Sequence, residues 1–167
     1  MANFKIERKT NLITLISSSL IILLLGLTSC TEGISYEKIY SIDKQWNKDS
    51  IFTFNITKPE VNTKQNVFFL LRNDSDYSYS NIYLFVTTEG PDKDIRIDTI
   101  QYRLADKEGK WLGKGMGVTK ENLLLYKENY SFNKAGNYKI SVQQGMRNDN
   151  LKGITDIGLI IQKTDKQ

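Results

Sequence analysis

Residues 81 to 88 read Asn81-Ile82-Tyr83-Leu84-Phe85-Val86-Thr87-Thr88, and Gly90-Pro91-Asp92-Lys93 follow directly. Ile82, Leu84 and Val86 alternate with Tyr83, Phe85 and Thr87, which is the period of a strand with one aliphatic face, and Gly-Pro-Asp then demands a turn. The next segment, Asp94 to Leu104, is also strand-like, but its apolar set changes phase from Ile95 and Ile97 to Ile100, Tyr102 and Leu104. One extra residue near Asp98 or Thr99, a β-bulge, would return both sets to one face.

Working outward, Ser50 to Thr57 places Phe52, Phe54 and Ile56 on one face, and Val67 to Leu71 is a continuous apolar run of the kind found in buried strands. Tyr138, Ile140 and Val142 alternate after a turn at Lys134-Ala135-Gly136, and Ile157, Leu159 and Ile161 close the chain. A helical reading of Glu121 to Asn129 is short, and the Tyr-rich, β-branched surroundings give it no company. Counting Ser35 to Tyr40 and Leu123 to Tyr126, about eight strands joined by turns predict an all-β fold, an antiparallel β-sandwich of jelly-roll type.

The first 29 residues do not belong to that pattern. A basic start with Lys5, Arg8 and Lys9 precedes a Leu- and Ile-rich run from Leu12 to Leu27, too short for the roughly 20 residues of a bilayer-spanning helix. The run ends in Leu27-Thr28-Ser29-Cys30, and Cys30 is the only cysteine in the chain. The arrangement resembles a bacterial lipobox, which implies acylation of Cys30 and cleavage before it. Residues 1–29 are thus expected to be a signal helix that is removed, 30–35 a lipidated tether and 36–164 the sandwich domain. Thr31 stands where an aspartate would resemble an inner-membrane retention signal, so the resemblance leans to the outer membrane. Only Glu32 follows, rather than an acidic patch, which favours the periplasmic face over the cell surface.

Composition narrows the chemistry. The 167 residues contain no histidine, which excludes a Ser-His-Asp triad, a Cys-His pair and a Cys/His zinc site, and a lone cysteine excludes an internal disulfide. Losing residues 1–29 removes three basic residues and Glu7, so the net charge of +4 falls to +2, and the basic residues left are scattered. No nucleic-acid partner is expected. Asn73, Asp74 and Asp76 form one polar loop and Asp92, Asp94 and Asp98 another, but neither has the ligand spacing of a calcium loop, and they read as hydrogen-bonded turn residues. Gly113, Gly115 and Gly117 match neither phosphate-binding fingerprint and read as a bulged connection beside a strand. No catalytic residue, metal or cofactor is expected. Trp46, Tyr77, Tyr79, Tyr83 and Trp111 are strand-type aromatics whose default place is the core, although together they could also form a platform for sugar rings or a protein.

Several blocks together carry a family likeness: Leu71-Arg72-Asn73, Asp76-Tyr77-Ser78-Tyr79-Ser80-Asn81-Ile82-Tyr83-Leu84, Gly109-Lys110-Trp111-Leu112-Gly113-Lys114-Gly115-Met116-Gly117, Lys127-Glu128-Asn129, Met146-Arg147 and Gly153-Ile154-Thr155-Asp156-Ile157-Gly158. The chain resembles the GldH family of gliding-motility lipoproteins of the Bacteroidetes from Cys30 to its last strand. Ser78 replaces an expected proline and Gly145 an expected alanine. The resemblance implies a non-enzymatic envelope lipoprotein working beside other lipoproteins of the motility and type IX secretion apparatus, and it transfers one functional residue, Cys30. With the leader and the missing catalytic side chains, it leads to a lipid-anchored protein acting by protein contact. The expected interaction face joins the loops bearing Tyr77, Tyr79, Asn81, Trp111 and Lys114. The competing expectation is a carbohydrate-binding sandwich that grips a polysaccharide through Tyr and Trp.

Overall fold

Ile82, Leu84 and Val86 lose all solvent exposure on the strand β5 (Asn81–Glu89), as their alternation requires, in a computed structural model that describes residues 33 to 164 apart from Lys44. The leader and Cys30 lie outside the described residues. Ten strands make up the domain: β1 (Ile34–Ser41), β2 (Gln45–Asn47), β3 (Phe52–Thr57), β4 (Gln65–Asn73), β5, β6 (Ile95–Arg103), β7 (Lys120–Tyr130), β8 (Asn137–Gln144), β9 (Asn150–Lys152) and β10 (Ile154–Lys163). The segment with the short helical alternative is therefore strand, in β7.

The strands form two four-stranded sheets, in the orders β1-β10-β4-β7 and β3-β8-β5-β6, plus the small pair β2-β9. Every strand pairs antiparallel with its counterpart counted from the other end of the chain: β1 with β10, β2 with β9, β3 with β8, β4 with β7 and β5 with β6. The domain is thus one long hairpin with its tip between β5 and β6, wound so that β10 also meets β4 and β8 also meets β5. That winding is a jelly roll.

The inner faces supply the core. Phe69 and Leu71 of β4 and Ile157 and Leu159 of β10 are fully buried with Phe54 of β3 and Val142 of β8, and Trp46 of β2 closes one end with its indole N–H donating to the Ser50 carbonyl at 3.1 Å. Trp46 is therefore a core residue, not part of a platform.

The bulge expected near Asp98 or Thr99 is not there. The β5–β6 register runs without a shift from Asn81 opposite Arg103 to Glu89 opposite Ile95. Ile95 and Ile97 instead point outward, 62% and 71% exposed, while Ile100 and Tyr102 face in. The reason lies on the neighbouring sheet. Asp98 accepts hydrogen bonds from the Tyr126 hydroxyl at 2.7 Å and the Lys127 ammonium at 2.9 Å, both on β7, and a bulge would turn it away from them. The bond from Lys127, then that from Tyr126, holds the Asp98 carboxyl below its usual pKa, and burial pushes the Tyr126 phenol up. Register shifts do occur in β7 opposite Gln65, Val67 and Phe68.

Both open sides of the sandwich are closed by a tyrosine donating to a backbone carbonyl of the opposite sheet. Tyr40 of β1 reaches Thr53 of β3 at 2.6 Å, and Tyr102 of β6 reaches Leu125 of β7 at 2.9 Å. Burial pushes the Tyr102 phenol up to about 12. Each bond ties an edge strand of one sheet to an edge strand of the other.

Candidate functional site

The sequence between β4 and β5 supplies polar turn residues and two tyrosines, and the fold seats them at one end of the sandwich. Asp74 accepts from the backbone N–H of Asp76 at 2.9 Å, the hydrogen-bonded turn expected of it. Its own N–H donates to the Gly153 carbonyl at 2.9 Å, which ties this loop to the short link between β9 and β10. Gly153 has φ 79°, and a Cβ there would lie 2.1 Å from the Tyr77 backbone nitrogen. Only glycine allows the two backbones to meet.

That contact drives Tyr77 inward. The ring is 2% exposed, and its hydroxyl donates to the Asn81 carbonyl at 2.7 Å, spanning the turn it begins. Burial raises its pKa. Around it stand Tyr79, edge-on at 5.7 Å, and Trp111, tilted at 6.2 Å between ring centroids. The Tyr79 hydroxyl donates to the Asn148 side-chain oxygen at 2.7 Å, drawing in the loop after β8.

Trp111 is placed by a tight turn of its own. Asp106 accepts from the N–H groups of Glu108 and Lys110 at 3.1 and 2.7 Å, Gly109 takes φ 84°, and Ala105 pairs antiparallel with Trp111. The chain then doubles back through Lys114, whose N–H and carbonyl bond Glu121 at 2.8 and 2.7 Å. The glycines between serve close approach: a Cβ on Gly113 would lie 2.9 Å from the Glu121 carbonyl oxygen and one on Gly115 2.8 Å from that of Thr119. The Lys120 ammonium donates to the Gly115 carbonyl at 2.8 Å.

The fold therefore brings Tyr77, Tyr79, Asn81 and Trp111 into one cluster. Tyr77 is its buried foundation and cannot present its ring to a partner, while Tyr79, Asn81 and Trp111 are half-buried at its rim. Lys114 is exposed on the adjoining loop, joined to the cluster through the backbone, and forms no ion pair among the described residues. Tyr83 lies elsewhere, on the outer face of β5, 38% exposed. A shallow depression of about 400 Å³ beside the rim is lined by Asn81, Arg103, Asp106 and Lys107. Among the described residues no three acidic, histidine or cysteine side chains gather as a metal site.

Three apolar side chains of this end escaped the reading of the Gly-rich segment. Leu112, Met116 and Val118 are 55%, 100% and 69% exposed. Their signal was present, since each apolar residue there is flanked by glycine and none belongs to an alternating pattern that could bury it.

A family model described as GldH lipoprotein matches residues 34–161. A gliding motility lipoprotein GldH homolog of Christiangramia forsetii is 37% identical over 145 residues, covering 83% of this chain and 89% of that protein. The gliding motility lipoprotein GldH of Flavobacterium johnsoniae is 32% identical over 156 residues, covering 89% and 97%. Among solved structures, the infectious bursal disease virus VP2 subviral particle overlaps 83% of this chain and 36% of its own at 16% identity and a TM-score of 0.33, too loose a likeness to argue from. With the family model spanning nearly every strand and both relatives aligned along most of their length, the chain belongs to the GldH family of gliding-motility lipoproteins.

Proposed function

We propose that this lipoprotein is anchored through Cys30 to the outer membrane, on its periplasmic face, and acts without catalysis by binding protein components of the gliding machinery and the associated type IX secretion apparatus. The observation that carries the reading is the loop Leu112 to Val118. A surface segment with three exposed apolar side chains, braced at its base by two backbone hydrogen bonds and close-packed glycines, has the character of a protein-docking loop on a rigid scaffold. Trp111 and Tyr79 beside it add the aromatic area that binding hot spots favour, and Lys114 a cation at the rim. Tyr77 supports the other rings from below.

The test is photo-crosslinking in living cells, with a benzophenone amino acid replacing Met116, Trp111 or, as a control on the outer face of β3, Asn55. The expected outcome is a discrete protein adduct from positions 116 and 111 and none from 55, together with impaired colony spreading for Met116→Glu. Adducts from 55 alone, or normal spreading with no adduct at 111 and 116, would remove this loop from the function. Saturable polysaccharide binding that disappears in Trp111→Ala, with the fold intact, would instead favour a carbohydrate-binding role.

A further inference from the structure

The other end of the sandwich is defined by the tether. From Cys30 to Gly33 the chain takes three peptide steps, which reach at most about 11 Å. Gly33 is held in place, since the Lys163 N–H donates to its carbonyl at 2.8 Å. Antiparallel pairing then sets which parts of the domain share that end. Ile34 lies opposite Gln162, Lys163 opposite Gln65, and Gln65 opposite Tyr130, so the start of β1 meets the end of β10, the start of β4 and the end of β7. The second sheet contributes its matching end: the Lys58 N–H donates to the Gly136 carbonyl at 3.2 Å, Gly136 packs on Pro91, and Val61 bridges Phe132. Loops 58–64, 90–94 and 131–136 thus form a plate at the same end of the domain as Gly33, which stands at its β1 edge. Strands of eight to eleven residues, about 30 Å long at roughly 3.3 Å per residue, separate it from the Trp111 loop.

The plate has the composition of a membrane-contact surface. Lys58, Lys64 and Lys93 are exposed and form no ion pair among the described residues. The acids around them are mostly engaged: Glu60 pairs with Lys163 at 2.7 Å, Asp92 with Lys134 and Glu89 with Lys139. Among the described residues, Asp94 on its loop and Glu128 near the end of β7 are the acids of this end without an ion pair, against Lys58, Lys64, Lys93 and Arg96, so the unpaired charge is predominantly positive. The same end carries the exposed side chains of Ile34, Val61 and Ile95, at 39%, 37% and 62%. Cations mixed with projecting aliphatic groups suit the boundary between phosphate headgroups and acyl chains. Lys58 and Lys93 hold left-handed backbone, with φ 47° and 61°, which turns their side chains out at the loop tips.

We propose that this end plate seats on the lipid surface, with Lys58, Lys64 and Lys93 against lipid phosphates and Ile34, Val61 and Ile95 at the acyl boundary. The domain then stands end-on and the Trp111 loop points away from the membrane. The inference rests on the Cys30 anchor, because the short tether keeps the plate at the bilayer at high effective concentration and lets individually weak contacts orient the domain.

The full chain, purified with its acyl groups, tests this in vesicles of phosphatidylethanolamine and phosphatidylglycerol doped with a headgroup-nitroxide lipid. Acylation occupies the Cys30 sulfur, so one added cysteine carries a fluorophore at Asn133→Cys on the plate, Leu125→Cys on the outer face of β7, or Ser78→Cys at the far end. The expected result is strong quenching at 133 and several-fold weaker quenching at 125 and 78. It should fall at least two-fold in a variant combining Lys58→Asn, Lys64→Gln and Lys93→Asn, in which asparagine preserves the left-handed turns. Quenching at 125 equal to that at 133 would mean the domain lies on its side, and an unchanged signal in the triple variant would remove the lysines from the contact. Either overturns the proposal for an acylated chain. A chain whose mass shows no acyl addition overturns the anchor as well as the seating.

Discussion

Gly153 shows how much one residue decides in this protein. Its missing side chain lets the β9–β10 link touch the backbone of Tyr77, and the burial of Tyr77, on which Tyr79 and Trp111 rest, follows. Gly153→Ala must resolve a 2.1 Å contact and a positive φ together, and is expected to cost roughly 2–4 kcal/mol. Gly117→Ala is the control: φ is 83° but nothing lies within 4 Å, so only the backbone cost of about 1 kcal/mol applies. Urea denaturation of the two variants measures the difference, and equal losses would mean that the close approach is easily relieved. The sequence showed Gly153 inside a family block but not why it is glycine, because the atom it avoids belongs to Tyr77, in a loop far earlier in the chain. Tyr77 was legible as an aromatic beside turn residues, but its burial beneath Tyr79 and Trp111 depends on three loops that meet only in the fold.

At the scale of the element, β5 and β6 make an instructive pair. Both are alternating, and both were recognisable as strands. In β5 the aliphatic face is the buried one, while in β6 Ile95 and Ile97 face solvent so that Asp98 can face β7. Hydrophobic alternation states that a segment has two faces; which of them is covered depends on the opposing edge, and the opposing edge here offers Tyr126 and Lys127. A pH dependence follows from the same seam. Asp98 has a lowered pKa in the folded protein, so its ionised form contributes stability that is complete above the unfolded value of about 4 and is lost as pH falls through the lower folded value. The melting temperature of the native domain is therefore expected to exceed that of Asp98→Asn at pH 6, with the gap closing steadily below pH 4. Thermal melts from pH 2 to 7 check this, and a gap independent of pH would show that the carboxylate's charge is not what the seam uses.

At the scale of the whole molecule, pairing each strand with its counterpart from the other end of the chain puts the first described residues and the end of the last strand at one end and the Trp111 loop at the other. A chain tethered through Cys30, as proposed, would present opposite ends to the membrane and to whatever lies beyond it. Cys30 is expected to be the covalent attachment, without which the weak contacts of the end plate do not hold the chain. Cys30→Ser should leave the leader uncleaved or release the chain from the membrane fraction, seen by fractionation and by the intact mass, and a variant that is still cleaved and fully membrane-bound would sink the anchor assignment. The basic start and Leu- and Ile-rich run of the first 29 residues, the lone cysteine, the absence of histidine and the two-residue alternation were determined by the sequence by itself, because each is a property of composition or of local period. Only the tertiary structure decided that the aromatic loops lie at the end opposite the start of β1, that Tyr77 is a foundation rather than a contact, and that β6 turns Ile95 and Ile97 outward while Ile100 faces in. Those outcomes depend on which distant segments share a sheet edge or a loop cluster, and burial is a property of that neighbourhood rather than of the residue.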